Sequence, residues 1–357
     1  MLGNIMNLKK SKFVVLDEIL RPMVDGKGET VHFYVDVHAL VKSLYTPSSL
    51  KIFDSLSDGK DVQDVCSELA SELLNIAGHY RRYCATRLGK RTAIYFYYTY
   101  DRSKLLTEVH HEYKKKLYEK YKTNINEKYS RMNRILIESL KIAKLVGEYI
   151  PNIYFIDSKH LEPNVVPYHF IENMNDEQFF DTDLVISNDE LNWQMANHFG
   201  VYVLTTKGAY SSIITSDDLI DLFLGKNADA VDHQVSNDFY SYFYALKGHS
   251  QYSVKGIPKY GAKRTVELLK EAVHNKIIPN TRIDDFQSLT DTLIEGKLLP
   301  REYGNVVNTN FQLLDIPTAY SRISEDEKAL ILDSQVVDRH DLKERNRLVT
   351  FILKIIS

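Results

Sequence analysis

Strand-like and helix-like periods alternate along this chain. The first clear strand is VHFYVDV, residues 31–37, built from aromatic and β-branched residues. HALVKSLY follows with helical character. A helical period then runs through residues 62–89 and stops at Gly89. TAIYFYYTY, residues 92–100, is almost continuously apolar, as a parallel strand covered on both faces must be. Residues 102–148 have no strand pattern and predict long helices loaded with lysine and tyrosine. NIYFID (152–157), DLVIS (183–187) and VYVLTT (201–206) predict three further strands. LEPNVVPYHFIEN predicts a short helix with Pro163 near its first turn and Pro167 awkwardly inside it. The second half is mostly helical. There, NTNFQLLDIPTAYSRIS predicts an extended segment lying back on the body, and the residues from EDEKALILD onward predict terminal helices.

Strand–helix alternation of this kind predicts an α/β fold, a parallel sheet with right-handed crossovers. Ligands of such sheets sit beyond the carboxyl ends of the strands. Asp36, Asp101 and Asp189 each follow a strand end, and Glu162 follows another. Any one of them alone is an ordinary turn or cap residue. Together on one rim they predict a divalent-metal site, because hard cations need several carboxylate oxygens. Asp157, also at a carboxyl end, is a fair addition. Asp181 and Asp183 stand at the wrong end of their strand.

GIPKYGAKR, within residues 246–272, sets a Gly-x-Pro-x-x-Gly turn between two helices. Such a turn offers backbone N–H groups and a helix N-terminus to a phosphate. Lys255, Lys259, Lys263 and Arg264 add charge. The spacing fits a plain helix connection with solvated lysines equally well.

Composition narrows the classes. With 357 residues, 44% hydrophobic and 26% charged, the chain is neither disordered nor fibrous. A net charge of -3 excludes a uniformly basic nucleic-acid coat, so any such surface is a local patch. The two cysteines, Cys66 and Cys84, have no metal-ligand spacing and predict a reduced, intracellular setting. No apolar run approaches ~18 residues, and MLGNIMNLKKSKF has no secretion-signal core, so no membrane partner is expected.

The order of these motifs resembles the flap endonuclease or 5′-nuclease superfamily, with its PIN-like domain, over about residues 31–272. LKGHSQYSVKGIPKYGAK is similar, without a gap, to the family's last acidic motif and the helix–hairpin–helix that follows it. YVDVHALVKSLY and IYFYYTYDRSK resemble the first two metal-bearing strands, with Asp36 and Asp101 as ligands. HHEYKKKLYEKYK resembles the opening of the helical arch that passes single-stranded flaps, with Lys114, Lys115 and Lys116 facing nucleic acid. FIDSKHLEPNVV and VISNDELNWQM resemble the next two acidic motifs. The resemblance implies that GIPKYGAK grips duplex phosphates through Gly256 and Gly261, with a potassium ion at the hairpin.

Departures from the family pattern sit at the acids. Asn164 and Val165 replace two acids beside Glu162, Leu191 replaces the acid after Asp189, and His249 and Tyr252 replace both acids of the last motif. The ligands of one metal are partly kept and those of the second largely lost, although two-metal hydrolysis needs both ions. His249 reads as a hydrogen-bonded loop histidine before it reads as a ligand or base.

The resemblance implies residues 1–215 as the nuclease-type domain, with its arch near 102–148. Residues 216–280 form the helix–hairpin–helix unit, and 281–357 an extension packed on the body. The expected function is binding of branched or duplex DNA in viral replication or expression, with impaired cleavage. One Mg²⁺ or Mn²⁺ is expected rather than two, and the host cytoplasm is the expected setting. Two alternatives stand beside it. One is an active 5′→3′ exonuclease or flap endonuclease with a reduced carboxylate set; the other is a protein-interaction subunit of a viral replication or transcription complex.

Overall fold

A computed structural model describes residues 28–38, 61–99, 102–115, 119, 127–147, 150–158, 160–173, 181–198, 200–207, 210–215, 235–275 and 286–333. Its strands are β1 (Thr30–Asp36), β2 (Arg91–Tyr98), β3 (Ile153–Asp157), β4 (Thr182–Ile186), β5 (Val201–Lys207) and β6 (Tyr210–Ile214). They form one sheet in the order β3-β2-β1-β4-β5-β6. All pairs are parallel except β5 with β6, which adds an antiparallel edge. The chain leaves the centre at β1, fills one side through β2 and β3, then returns to the other side of β1 at β4. That reversal creates the crevice where α/β folds place ligands.

The pleat of β1 divides the core in two. Phe33 and Val35 face one side, with Phe96 of β2 and Phe155 of β3. There they meet Leu69, Leu73 and Tyr80 of α1 (Val62–Tyr83) and Leu136 and Leu140 of α3 (Glu127–Gly147). The ring of Phe33 stacks on Tyr80 at 4.5 Å. Asp61 caps α1 by accepting from the Gln63 amide, and Gly89, at φ 64°, turns the chain out of the helix's wider last turn into β2. A short helix, α2 (Lys104–Val109), lies between β2 and α3.

Tyr34, Tyr95, Tyr97 and Val185 face the other side. They are covered by α4 (Val165–Glu172), α5 (Val235–Lys247) and α8 (Gly304–Leu314). Between α5 and α8 lie a small hairpin (β7, Gly248–His249; β8, Val254–Lys255), α6 (Ala262–His274) and α7 (Phe286–Glu295). The sheet is thus a middle layer between two helical ones.

Two expectations are corrected. Residues 308–321 are helical on either side of Asp315, not extended. Asp315 ends α8 and caps α9 (Ile316–Ser321), accepting from the Thr318 amide at 2.8 Å. Pro317 falls in the first turn of α9, where no backbone donor is needed. The segment does lie on the body: Gln194 donates to the Leu314 carbonyl at 2.8 Å and accepts from the Ile316 amide at 3.0 Å. Pro167 is also at ease, because α4 starts at Val165 and so places Pro167 in its first turn. A terminal helix, α10 (Glu325–Asp333), is present as the sequence predicts. Asp101, Lys116 and the expected boundary near residue 215 lie outside or beside the described residues. No described helix is long and apolar enough to cross a membrane.

Candidate active site and nucleic-acid interface

Asp36 ends β1, and Ser187 and Asp189 follow β4, its parallel neighbour. The parallel register brings them together at the carboxyl rim. Ser187 Oγ donates to Asp36 Oδ2 at 2.8 Å, and the Asp189 amide donates to Ser187 Oγ at 3.1 Å. Asp189 then caps a 3-10 helix (Glu190–Asn197) by accepting from the Leu191 amide at 3.1 Å. Its other oxygen accepts from Asn164 Nδ2 at 3.1 Å and from the Tyr252 hydroxyl. Leu191 is buried beside it. Two positions read as replaced acids, Asn164 and Tyr252, therefore act as donors to the remaining one.

Glu162 is buried just ahead of Asn164. Its Oε1 pairs with Lys114 Nζ, and its Oε2 accepts from the Tyr113 hydroxyl at 3.1 Å. Burial pushes its carboxyl above the ordinary range, and the Lys114 ammonium offsets part of that. Lys114 was expected on a nucleic-acid track, yet it is only 5% exposed. Its ammonium lies 4.1 Å from the centre of the Tyr252 ring. Lys115 pairs instead with Glu112 at 2.9 Å, near the surface. Burial, then the charges of Asp189 and Glu162, hold the Tyr252 hydroxyl well above its usual pKa, so it stays a donor.

His249 is not the hydrogen-bonded loop histidine that the sequence suggests. Its Nδ1 is buried without a hydrogen-bond partner, and its ring sits between Tyr244 (5.0 Å) and Tyr252 (4.5 Å). Burial lowers its pKa, which favours the neutral ring.

At the hairpin, Gly248 and Gly256 touch backbone to backbone. A Cβ on Gly256 would run into the Lys247 carbonyl and come within 2.8 Å of the Gly248 amide. Asn310 of α8 clamps the turn by donating to the Ala245 and Lys255 carbonyls at 2.8 and 2.9 Å. Gly261 borders open space, and Lys255, Lys259, Lys263 and Arg264 are exposed. The first amides of α6 follow directly, and first-turn amides have no acceptor within their own helix.

An open groove of about 1370 Å³ joins these parts. Asn188 and Glu190 line it from the rim, His110 and Glu112 from the turn after α2, Lys255 from the hairpin and Asn305 from α8. Pockets for drug-sized ligands span roughly 300–1,000 Å³, so this larger, open groove suits a segment of a polymer better.

Three solved structures share the architecture. One is the bacteriophage T5 D15 flap endonuclease, in a variant with one aspartate changed to lysine, as a pseudo-enzyme–product complex with DNA and metal ions. It matches with a TM-score of 0.50 and 16% identity over 91% of this chain and 99% of that one. The chain has the fold of a flap endonuclease. The T5 D15 protein co-crystallised with metal ions, and the T5 5′-exonuclease with bound zinc, each match with a TM-score of 0.50 and 16% identity over 92% of this chain and 100% of theirs. No family model and no curated protein matches the sequence.

Divalent ions in the flap-endonuclease neighbours prompt a test of fit. Among the described residues, no three His, Cys, Asp or Glu side chains come together as a metal cluster. Glu162 is bonded to Lys114 and Tyr113, and Asp189 to Asn164 and Tyr252. The donors at this end of the rim are engaged with one another and do not fit a second dication.

Proposed function

We propose that the chain is a flap-endonuclease-like DNA-binding protein with impaired nuclease activity, working in the replication or expression of viral DNA. Its substrate is branched DNA, or duplex DNA with a single-stranded end. The observation that carries this reading is the groove, because one continuous surface runs from Asn188 and Glu190, the chain neighbours of Asp189, past the turn after α2 to Lys255 and Gly256 of the hairpin. In a nuclease-type fold those are the parts that must meet the same strand. Impairment is supported by the chemistry of the rim: Asn164 and Tyr252 stand where acids are expected and occupy Asp189. Asp36, Asp189 and Asp101 would hold at most one Mg²⁺ or Mn²⁺. A potassium ion would sit at the hairpin. DNA would be gripped by Lys255, Gly256, Lys259, Gly261, Lys263 and Arg264, with Lys115 and Lys116 adding charge.

The test is fluorescence anisotropy of a labelled 5′-flap duplex against salt. Lys263→Glu with Arg264→Glu should weaken binding and reduce the slope of log K against log salt by about 1 to 2, since each lost phosphate contact removes roughly 0.9. An unchanged affinity and slope would assign the hairpin a purely structural part.

A further inference from the structure

We propose that the Lys114 ammonium is the resident cation of the rim. It satisfies Glu162 permanently, so Glu162 is not a ligand of a divalent ion.

The turn that carries Lys114 is built around this contact. Lys114 has a left-handed backbone, φ 52°, which is strained for a non-glycine residue and persists only when its surroundings enforce it. The enforcement is visible. The Lys114 amide donates to the Tyr252 carbonyl at 2.7 Å, and Arg102 pins the same turn through the carbonyls of His111 (2.9 Å) and Tyr113 (3.3 Å). The side chain then runs inward, its Nζ on Glu162 Oε1 and over the face of Tyr252. Tyr113, the next residue back, takes the other Glu162 oxygen. One strained turn thus delivers both partners of one carboxylate.

The surroundings suit an ammonium and not a hydrated dication. Mg²⁺ and Mn²⁺ need near-octahedral oxygen ligands and keep several waters. Here the side chains of Lys114 and Glu162 are each 6% exposed, and the third neighbour is an aromatic face, which attracts a cation without coordinating a metal. Tyr252 serves twice, since its ring faces Lys114 while its hydroxyl reaches Asp189. The residue standing at a lost acid thereby links the internal cation to the remaining acid.

The second consequence rests on the groove being a nucleic-acid site: DNA binds there without divalent ions. The experiment separates the two. Mn²⁺ binding is followed by the loss of its free-ion electron paramagnetic resonance signal, in wild type, Glu162→Gln, Lys114→Met and the double variant. The wild type and Glu162→Gln should match, whether both bind weakly or not at all. Lys114→Met should bind Mn²⁺ no more tightly than the wild type, because the buried carboxylate stripped of its ammonium takes up a proton. Its melting temperature should fall, and the double variant, which leaves no unpaired charge, should recover part of that loss. A tenfold loss of Mn²⁺ affinity in Glu162→Gln or in the double variant, a tenfold gain in Lys114→Met, or no recovery of stability in the double variant, would overturn the proposal. If either single variant fails to fold, the double variant, which removes both charges together, still decides. Duplex binding in EDTA and in Mg²⁺ should agree. If DNA binds in neither, the functional reading fails while the Mn²⁺ titration still judges Lys114.

Discussion

Asp183 shows how one side chain can be read quantitatively. It is fully buried on β4, with Tyr34 donating to its Oδ1 at 2.8 Å and no partner on Oδ2. Burial raises its carboxyl from 3.8 to about 6, against the pull of His32 and Tyr34. An acid whose pKa is raised in the fold stabilises the protein while protonated. That stability is complete below about pH 4 and is lost as the pH rises through 6, by about 3 kcal/mol at most. Asp181 behaves oppositely: burial alone would raise it, but hydrogen bonds from His32 and the Thr30 amide outweigh that and lower it. Its effect therefore falls below pH 4, outside the Asp183 window. Urea unfolding of wild type and Asp183→Asn from pH 4 to 7 should show the variant gaining relative stability with pH. Parallel curves would contradict the assignment. Sequence position had already set Asp181 and Asp183 at the end of the sheet away from the rim, and β4 pairing places them beside Thr30 and His32.

At the scale of elements, the hairpin glycines make contrasting predictions. Gly256→Ala has no room against the Lys247 carbonyl and should cost at least ~3 kcal/mol in thermal or urea unfolding. Gly261→Ala meets nothing within 4 Å and should fold like wild type. On the proposed grip of the hairpin on phosphates its methyl would stand in the way, so DNA affinity should fall while the melting temperature holds. Elements were legible where period and punctuation agreed: α1 with its Gly89 stop, and β2 with its unbroken apolar run. The rim acids Asp36, Glu162 and Asp189 were legible from strand ends alone. What could not be read was contact across sequence distance. Ser187 reaches back 151 residues to Asp36, and Tyr113 and Lys114 reach Glu162 over 49 and 48. A lysine among lysines carries no mark of which one turns inward. NFQLLDIPTAYS misled because its polar interruptions are a cap and a first-turn proline, not breaks into extended chain.

For the whole molecule the decisive quantity is turnover. Enzymes typically run at about 1 per second or faster. On a 5′-flap substrate with Mg²⁺ or Mn²⁺, the wild type should fall well below that, and Asp36→Asn should remove whatever remains. Wild-type turnover at or above that rate, abolished in Asp36→Asn, would make the protein a working nuclease with a reduced site. The same preparation bears on the architecture. The Gln194, Ser241 and Asp315 side chains tie the 3-10 helix, α5 and the α8–α9 junction together behind the rim, with Ser241 Oγ 3.0 Å from Gln194 and 2.7 Å from Asp315. Asp315→Ala, which also strips the cap of α9, should lower stability by ~1–2 kcal/mol or more.

Trp193 is the only tryptophan among 24 tyrosines, and it lies in the 3-10 helix that Asp189 caps, 5.8 Å from the Tyr240 ring. Excited tyrosines pass energy to a nearby indole, so light absorbed across the aromatic core drains to this one emitter beside the rim. The protein therefore carries a built-in optical reporter. A ligand that settles against Asn188 or Glu190 should shift or quench tryptophan emission without any dye, and Trp193→Phe should silence the signal while leaving binding intact.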